Sequence, residues 1–158
     1  MPESQASYLG FDFGHKRIGV AVGQALTGSA TPLQVLGNAP ELIKNIKLLI
    51  DEWRPAALVV GLPLDTVGNE TEMSQAARRF AGGLHGATGL RVYLQDERLS
   101  SVDASRQFAE LRRAGLARRS QAARQDALAA RVLLETWLRE LACSGPRGLE
   151  AEFDGPSD

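Results

Sequence analysis

The chain has 158 residues, is 44% hydrophobic and carries a formal net charge of −1. That composition supports one domain with a real core. It offers no run near the roughly 18 apolar residues of a membrane span, and it excludes a globally basic nucleic-acid binder. A single cysteine, Cys143, excludes an internal disulfide, and His15 and His85 are too isolated to suggest a metal pair. The opening residues MPESQAS lack the basic, apolar start of a secretory signal, so a cytoplasmic protein with no membrane partner is expected.

The segment Tyr8 to Gly23, YLGFDFGHKRIGVAVG, reads as two β-rich runs joined by a short Gly-containing turn, a hairpin. Strand alternation puts Leu9, Phe11 and Phe13 on one face and Tyr8, Gly10 and Asp12 on the other. Gly10 leaves open space two residues before Asp12, and Gly14 sits where a side chain would obstruct the turn. A carboxylate facing an open space at a strand end is costly without a cation or a donor. Taken alone, Asp12 is equally well read as a turn residue bonded to backbone amides.

Thr27 to Val35 contains Pro32 and suits an edge strand. Asn38-Ala39-Pro40-Glu41 starts a helix with Pro40 at its first position. Leu42, Ile43, Ile46, Leu49, Ile50 and Trp53 give that helix one apolar face, and Pro55 ends it. Ala56 to Gly61 is continuously apolar, as expected of a strand buried on both faces. A polar loop leads to a helix bearing Met73, Ala77, Phe80 and Leu84. The next strand is Leu90 to Leu94, with Glu97 just beyond it and Asp96 pointing the opposite way.

Ser100 or Ser101 then caps a helix carrying Ala104, Phe108 and Leu111, followed by a mobile basic connection from Arg112 to Ser120. The last helix, about Gln121 to Ala142, presents Ala127, Ala130, Leu134, Trp137 and Leu141 inward. Two units are expected: a domain over 1–143 and an acidic, disordered tail over 144–158. The order β-β-β-α-β-α-β-α-α gives an α/β layer structure around a mixed sheet.

Three acids lie among or beside apolar positions. Asp12 ends the first strand, Glu97 follows the strand at 90–94, and Asp126 shares the inward side of the last helix with Ala130 and Leu133. Ligands of open α/β sheets gather at the carboxyl ends of strands, so the three could converge. Clustered carboxylates need cations, and hard oxygen ligands suit Mg²⁺ or Mn²⁺. From Arg98 to Arg131 there are eight arginines against three acids. Such a stripe fits a phosphate-binding footprint, although a solvated helix face is the commoner origin of a charge run.

The segments GFDFGHKRIGVAVG, VVGLPLDTVGNET, QDERLSS and ARQDALAARVLLETWL, in this order, resemble the YqgF/RuvX family. The resemblance covers about Tyr8 to Leu141. It implies a ribonuclease H-like fold with a central mixed five-stranded sheet flanked by helices. Members are described as nucleases of pre-16S rRNA or as Holliday junction resolvase-like proteins. Carried onto this chain, the family's acids match Asp12, Glu97 and Asp126 as catalytic and metal-holding residues, with Mg²⁺ or Mn²⁺ as cofactor. The family's Gly-Leu-Pro loop matches Gly61-Leu62-Pro63. Related resolvases often carry a fourth acid one turn after the helix carboxylate, a place that Ala129 takes here.

The function so implied is phosphodiester hydrolysis in structured RNA, most simply a ribosomal RNA precursor, with branched DNA as the alternative. Lys16, Arg17, Arg98, Arg112, Arg113, Arg118 and Arg119 are the candidate nucleic-acid contacts. A non-catalytic RNA-binding assembly factor is a second alternative. The Asp-x-Gly turn also resembles the phosphate loop of actin-like ATPases, but those need a second domain and 158 residues leave little room for one.

Overall fold

A computed structural model describes residues 6–65, 67–96 and 120–144 of the chain. Three strands come first: β1 (Ser7–Asp12), β2 (Arg17–Gln24) and β3 (Ser29–Gly37). Then follow α1 (Leu42–Trp53), β4 (Ala57–Leu62), α2 (Glu72–Thr88), β5 (Val92–Asp96) and α3 (Ser120–Ser144). The strands form one mixed sheet in the order β3-β2-β1-β4-β5. β1, β2 and β3 pair antiparallel, while β4 pairs parallel with both β1 and β5. The mixed five-stranded sheet expected from the sequence is therefore present. The helix expected after Ser100 or Ser101 and most of the basic connection lie outside the described residues, as does the chain beyond 144; α3 itself runs on through Ser144, one residue past the boundary expected at 143.

Local chemistry accounts for the element ends. Pro32 has no amide hydrogen to give, and it lies on edge strand β3 opposite Ala21, beside a register shift between Val20 and Ala21. Pro40 is not in the helix as expected. It occupies a turn closed by the Leu42 amide on the Ala39 carbonyl at 2.9 Å, and α1 begins two residues later. Helix α1 ends at Arg54 in the left-handed region, φ 48°, immediately before Pro55. In α2 the Thr71 side chain accepts from the Ser74 amide and the Ser74 hydroxyl caps the Thr71 amide, and Gly89 at φ 74° closes the other end.

The sheet separates two cores. On one face Leu9, Phe11, Ile18, Val20, Leu58 and Val60 pack under α1 and α2. On the other, Tyr8, Ala21, Val59 and Tyr93 pack against Ala130, Leu133, Leu134 and Trp137 of α3. β4 is buried along its whole length, as its apolar run requires. The second face is lined with small residues where β1 meets β2: Gly10 pairs with Ala21, Asp12 with Gly19 and Tyr8 with Gly23.

The space expected beside Gly10 is not open. A Cβ there would stand 3.0 Å from Leu134 Cβ, because α3 already lies in it. At Gly23 a Cβ would stand 2.7 Å from Leu138 Cδ1, and at Gly19 it would overlap the carbonyl oxygen of Asp126. The glycines serve the approach of a helix rather than leaving a cleft. Gly14 behaves as expected, since a Cβ there would meet the Arg17 carbonyl oxygen at 2.7 Å.

This arrangement sorts the glycines by consequence. Gly19→Ala should destabilise by about 1–3 kcal/mol, because helix backbone must move to admit the methyl group. Gly83→Ala, in the exposed middle of α2 with nothing near the new Cβ, should stabilise by about 0.5–1 kcal/mol through helix propensity. Urea unfolding midpoints of the two variants measure the difference, and equal midpoints would contradict the packing described.

Candidate functional site

The site is built from the carboxyl end of β1, the start of β2 and the first turns of α3. Asp12 is the last residue of β1, is half-buried, and stands opposite Gly19. Residues paired across antiparallel strands point to the same face, so Asp12 looks toward α3. Helix α3 meets β2 at Gly19 through the peptide joining Asp126 to Ala127. Asp12 and Asp126 are thus placed on either side of one residue with no side chain. The sequence separates them widely, and the missing Cβ at Gly19 lets the Asp126 backbone reach the strand position paired with Asp12.

Arg17 joins the cluster for the same reason of alternation. It precedes Gly19 by two positions in β2 and so shares its face. Its Nε donates to Oδ2 of Asp126 at 2.9 Å. The Arg17 side chain is 48% exposed and that of Asp126 27%, so the carboxylate is the more buried partner. Burial pushes the Asp126 carboxyl above its usual range, and the charge and hydrogen bond of Arg17 pull it back only in part. The ion pair is not apparent from the sequence unless Arg17 is counted on the same strand face as Gly19. Lys16 is exposed at the adjacent turn, which Asn38 braces through its side-chain amide on the Gly14 carbonyl at 3.0 Å.

β5 ends two residues later than expected, because its parallel pairing with β4 continues from Leu58 opposite Val92 to Leu62 opposite Asp96. Asp96 therefore alternates with Val92 and Leu94, which belong to the core under α1 and α2. Tyr93 belongs to the α3 side. Asp96 thus falls on the face away from Asp12, as anticipated. Glu97, Arg98, Arg112, Arg113, Arg118 and Arg119 lie outside the described residues. Ala129, in the place of a fourth acid, is half-buried.

The loop after β4 stands beside this end of the sheet. Asp65 Oδ1 accepts from the amides of Val67 at 3.0 Å and Asn69 at 2.8 Å. The Ser74 hydroxyl donates to the Pro63 carbonyl, and Arg78 clamps Glu70 through Nε at 2.8 Å and Nη2 at 2.6 Å. The Gly-Leu-Pro segment is thereby tied to the first turns of α2.

Among the described residues, no group of three His, Cys, Asp or Glu side chains is gathered closely enough to hold a metal. The two described carboxylates nevertheless fit a hard cation. Both offer oxygen donors, Asp12 from the strand face on which α3 packs and Asp126 from α3 itself, and Asp126 already takes a positive charge from Arg17.

Comparison with known proteins gives a consistent set of relatives. A family model described as "RuvX: Holliday junction resolvase" matches residues 6–140. A protein of Azotobacter vinelandii named "Putative pre-16S rRNA nuclease" is 49% identical over 136 residues, 84% of this chain and 92% of its own length. One of the same name from Burkholderia ambifaria is 48% identical over 139 residues, 87% of this chain and 91% of its own. Among solved structures, Thermus thermophilus RuvC in complex with a Holliday junction substrate superposes with a TM-score of 0.60 at 17% identity, covering 92% of this chain and all of that one. At that identity the likeness shows the fold, which is ribonuclease H-like as the sequence implied.

The raised pKa of Asp126 fixes the sign of a pH effect. A carboxyl whose folded pKa lies above its unfolded value binds protons more tightly when folded, so ionising it opposes folding. Asp126→Asn should therefore raise the unfolding midpoint at pH 7 in the presence of a chelator. The gain should shrink as pH falls through the folded pKa and vanish below the usual value of 3.8, where both states are protonated. Chemical denaturation across pH 3–8 measures it, and a loss of stability at pH 7 would reverse the balance assigned to burial and Arg17.

Proposed function

The chain belongs to the RuvX family, and from that premise we propose that it is a metal-dependent endonuclease that hydrolyses phosphodiester bonds in structured RNA, its substrate being the precursor of 16S rRNA. The observation that supports the reading is the arrival of the Asp126 backbone at Gly19, the residue paired with Asp12. A half-buried carboxylate whose ionised form opposes folding is kept at a cost to stability, which is a mark of a functional site. The names of the relatives from Azotobacter and Burkholderia supply the substrate class. A ribosomal RNA precursor as substrate implies a cytoplasmic protein. In keeping with that, no helix among the described residues is long and apolar enough to cross a membrane.

Asp12, Glu97 and Asp126 are the proposed metal-holding set. Asp96 lies on the strand face away from Asp12, which leaves Glu97, outside the described residues, as the acid of the family pattern for this strand end. Mg²⁺ or Mn²⁺ held there would polarise a phosphate oxygen and lower the pKa of a water molecule. The chain's own groups then bind and orient the substrate. Lys16 and Arg17 flank the carboxylates from the β1–β2 turn, and Arg98, Arg112, Arg113, Arg118 and Arg119 extend a basic path for the phosphate backbone. The Gly61-Leu62-Pro63 loop, fixed to α2, forms a rigid border at the end of β4.

The family model's description makes branched DNA the second reading. Precursor rRNA fragments and four-way DNA junctions should be offered side by side with Mg²⁺ and with Mn²⁺. The expected result is cleavage of the RNA, with Asp12→Asn folded and slower by on the order of 10²-fold or more, as for removal of a preorganised charge at a reacting centre. Faster cleavage of the junction would transfer the function to branched DNA. Tight RNA binding with no cleavage by the wild type would make the protein a non-catalytic assembly factor.

A further inference from the structure

We propose that Arg17 is the resident cation of the metal-free site: it holds Asp126 until a divalent ion displaces it, and its guanidinium then becomes available to a substrate phosphate. The inference rests on the metal site proposed above. Its own basis is the contact of Arg17 Nε with Asp126 Oδ2 at 2.9 Å, on the carboxylate that α3 sets beside Asp12. A carboxylate oxygen spent on a guanidinium is not fully available to a metal. One positive charge therefore stands where a metal ion would bring two.

The geometry favours a replaceable cation over a structural bridge. The Arg17 side chain is nearly half exposed, and among the described residues its guanidinium makes no other side-chain hydrogen bond. It reaches Asp126 through Nε alone rather than through the paired fork that makes an arginine clamp strong, as Arg78 makes on Glu70. An exposed pair of this kind is weak and easily exchanged. A divalent ion that draws on two or more carboxylates at once outcompetes it, and the exchange costs little because the long side chain stays solvated. Once released, the guanidinium lies at the start of β2, beside the metal-holding oxygens, with all its donors open to a phosphate.

The same exchange has a use before the metal arrives. Without Arg17, the half-buried Asp126 carboxylate would lose the guanidinium that pairs with it. The arginine holds the metal-free chain in a metal-ready shape. It also makes metal affinity and phosphate affinity mutually dependent, since either ligand that claims its partner frees the other.

Mn²⁺ binding without nucleic acid, followed by the electron paramagnetic resonance signal of the free ion, tests this directly. Arg17→Gln should tighten Mn²⁺ binding about threefold to fivefold, the worth of one exposed ion pair. Lys16→Gln removes an equal charge one residue away and should change it less than twofold, which separates the contact from the general field. Arg17→Lys, which keeps the charge without Nε, should fall between wild type and Arg17→Gln. Unchanged or weaker binding in Arg17→Gln overturns the inference, as does an equal effect of Lys16→Gln. If Arg17→Gln does not fold, the Arg17 Nε–H resonance of the wild type decides: it should move at saturating Mg²⁺, and a stationary signal overturns the exchange. A wild-type chain that binds no Mn²⁺ overturns both this inference and the metal site, whereas binding that is lost in Asp12→Asn but indifferent to Arg17→Gln overturns this inference alone.

Discussion

The fold depends on one close approach, that of the α3 backbone to the β1–β2 face at Gly19. Packed layers normally stand apart by the depth of their side chains, about 10 Å between stacked sheets. Here Gly10, Gly19 and Gly23 remove the intervening atoms, and α3 settles until the Asp126 carbonyl fills the place of a Cβ. The same contact does two jobs. It buries Leu133, Leu134 and Trp137 against the sheet, and it delivers the start of α3 to the strand end that carries Asp12. Packing and site assembly are therefore a single interaction.

That interaction also sets the electrostatics. Bringing α3 close enough to seat its hydrophobic side also half-buries Asp126, and burial disfavours its charge. Arg17 offsets part of this from the neighbouring strand position. A carboxylamide at position 126 would suit the metal-free fold better. The carboxylate suits the proposed metal site, where a cation would compensate its charge, and on that reading stability and activity pull in opposite directions at the same residue.

Much of this was legible in the sequence because it follows from period and pattern. The apolar spacing in α1 and α3, the continuous run of β4 and the alternation of β1 are all local signals, and each was borne out. The family resemblance supplied the topology that the local signals left open. What the sequence misread was tertiary. Gly10 reads locally as open space, yet the partner that fills it is encoded more than a hundred residues away. The strand at 90–94 was placed early, because pairing with β4 rather than side-chain preference decides where β5 ends. Pro40 matches a first helical position by local preference, yet α1 begins only after the turn that holds it. The Arg17–Asp126 pair was missed because a basic pair at a turn normally points to solvent, and only the strand register reveals which of Lys16 and Arg17 turns inward.

In the proposed site, carboxylates from two strand ends and one helix share a cation. A crystal structure of the wild-type chain soaked with Mn²⁺, phased to show the metal by its anomalous signal, tests it most directly. The expected result is a Mn²⁺ peak bounded by carboxylate oxygens of Asp12, Glu97 and Asp126, on the α3 face of the sheet. A peak elsewhere, or a Glu97 carboxylate on the face of α1 and α2, would contradict it.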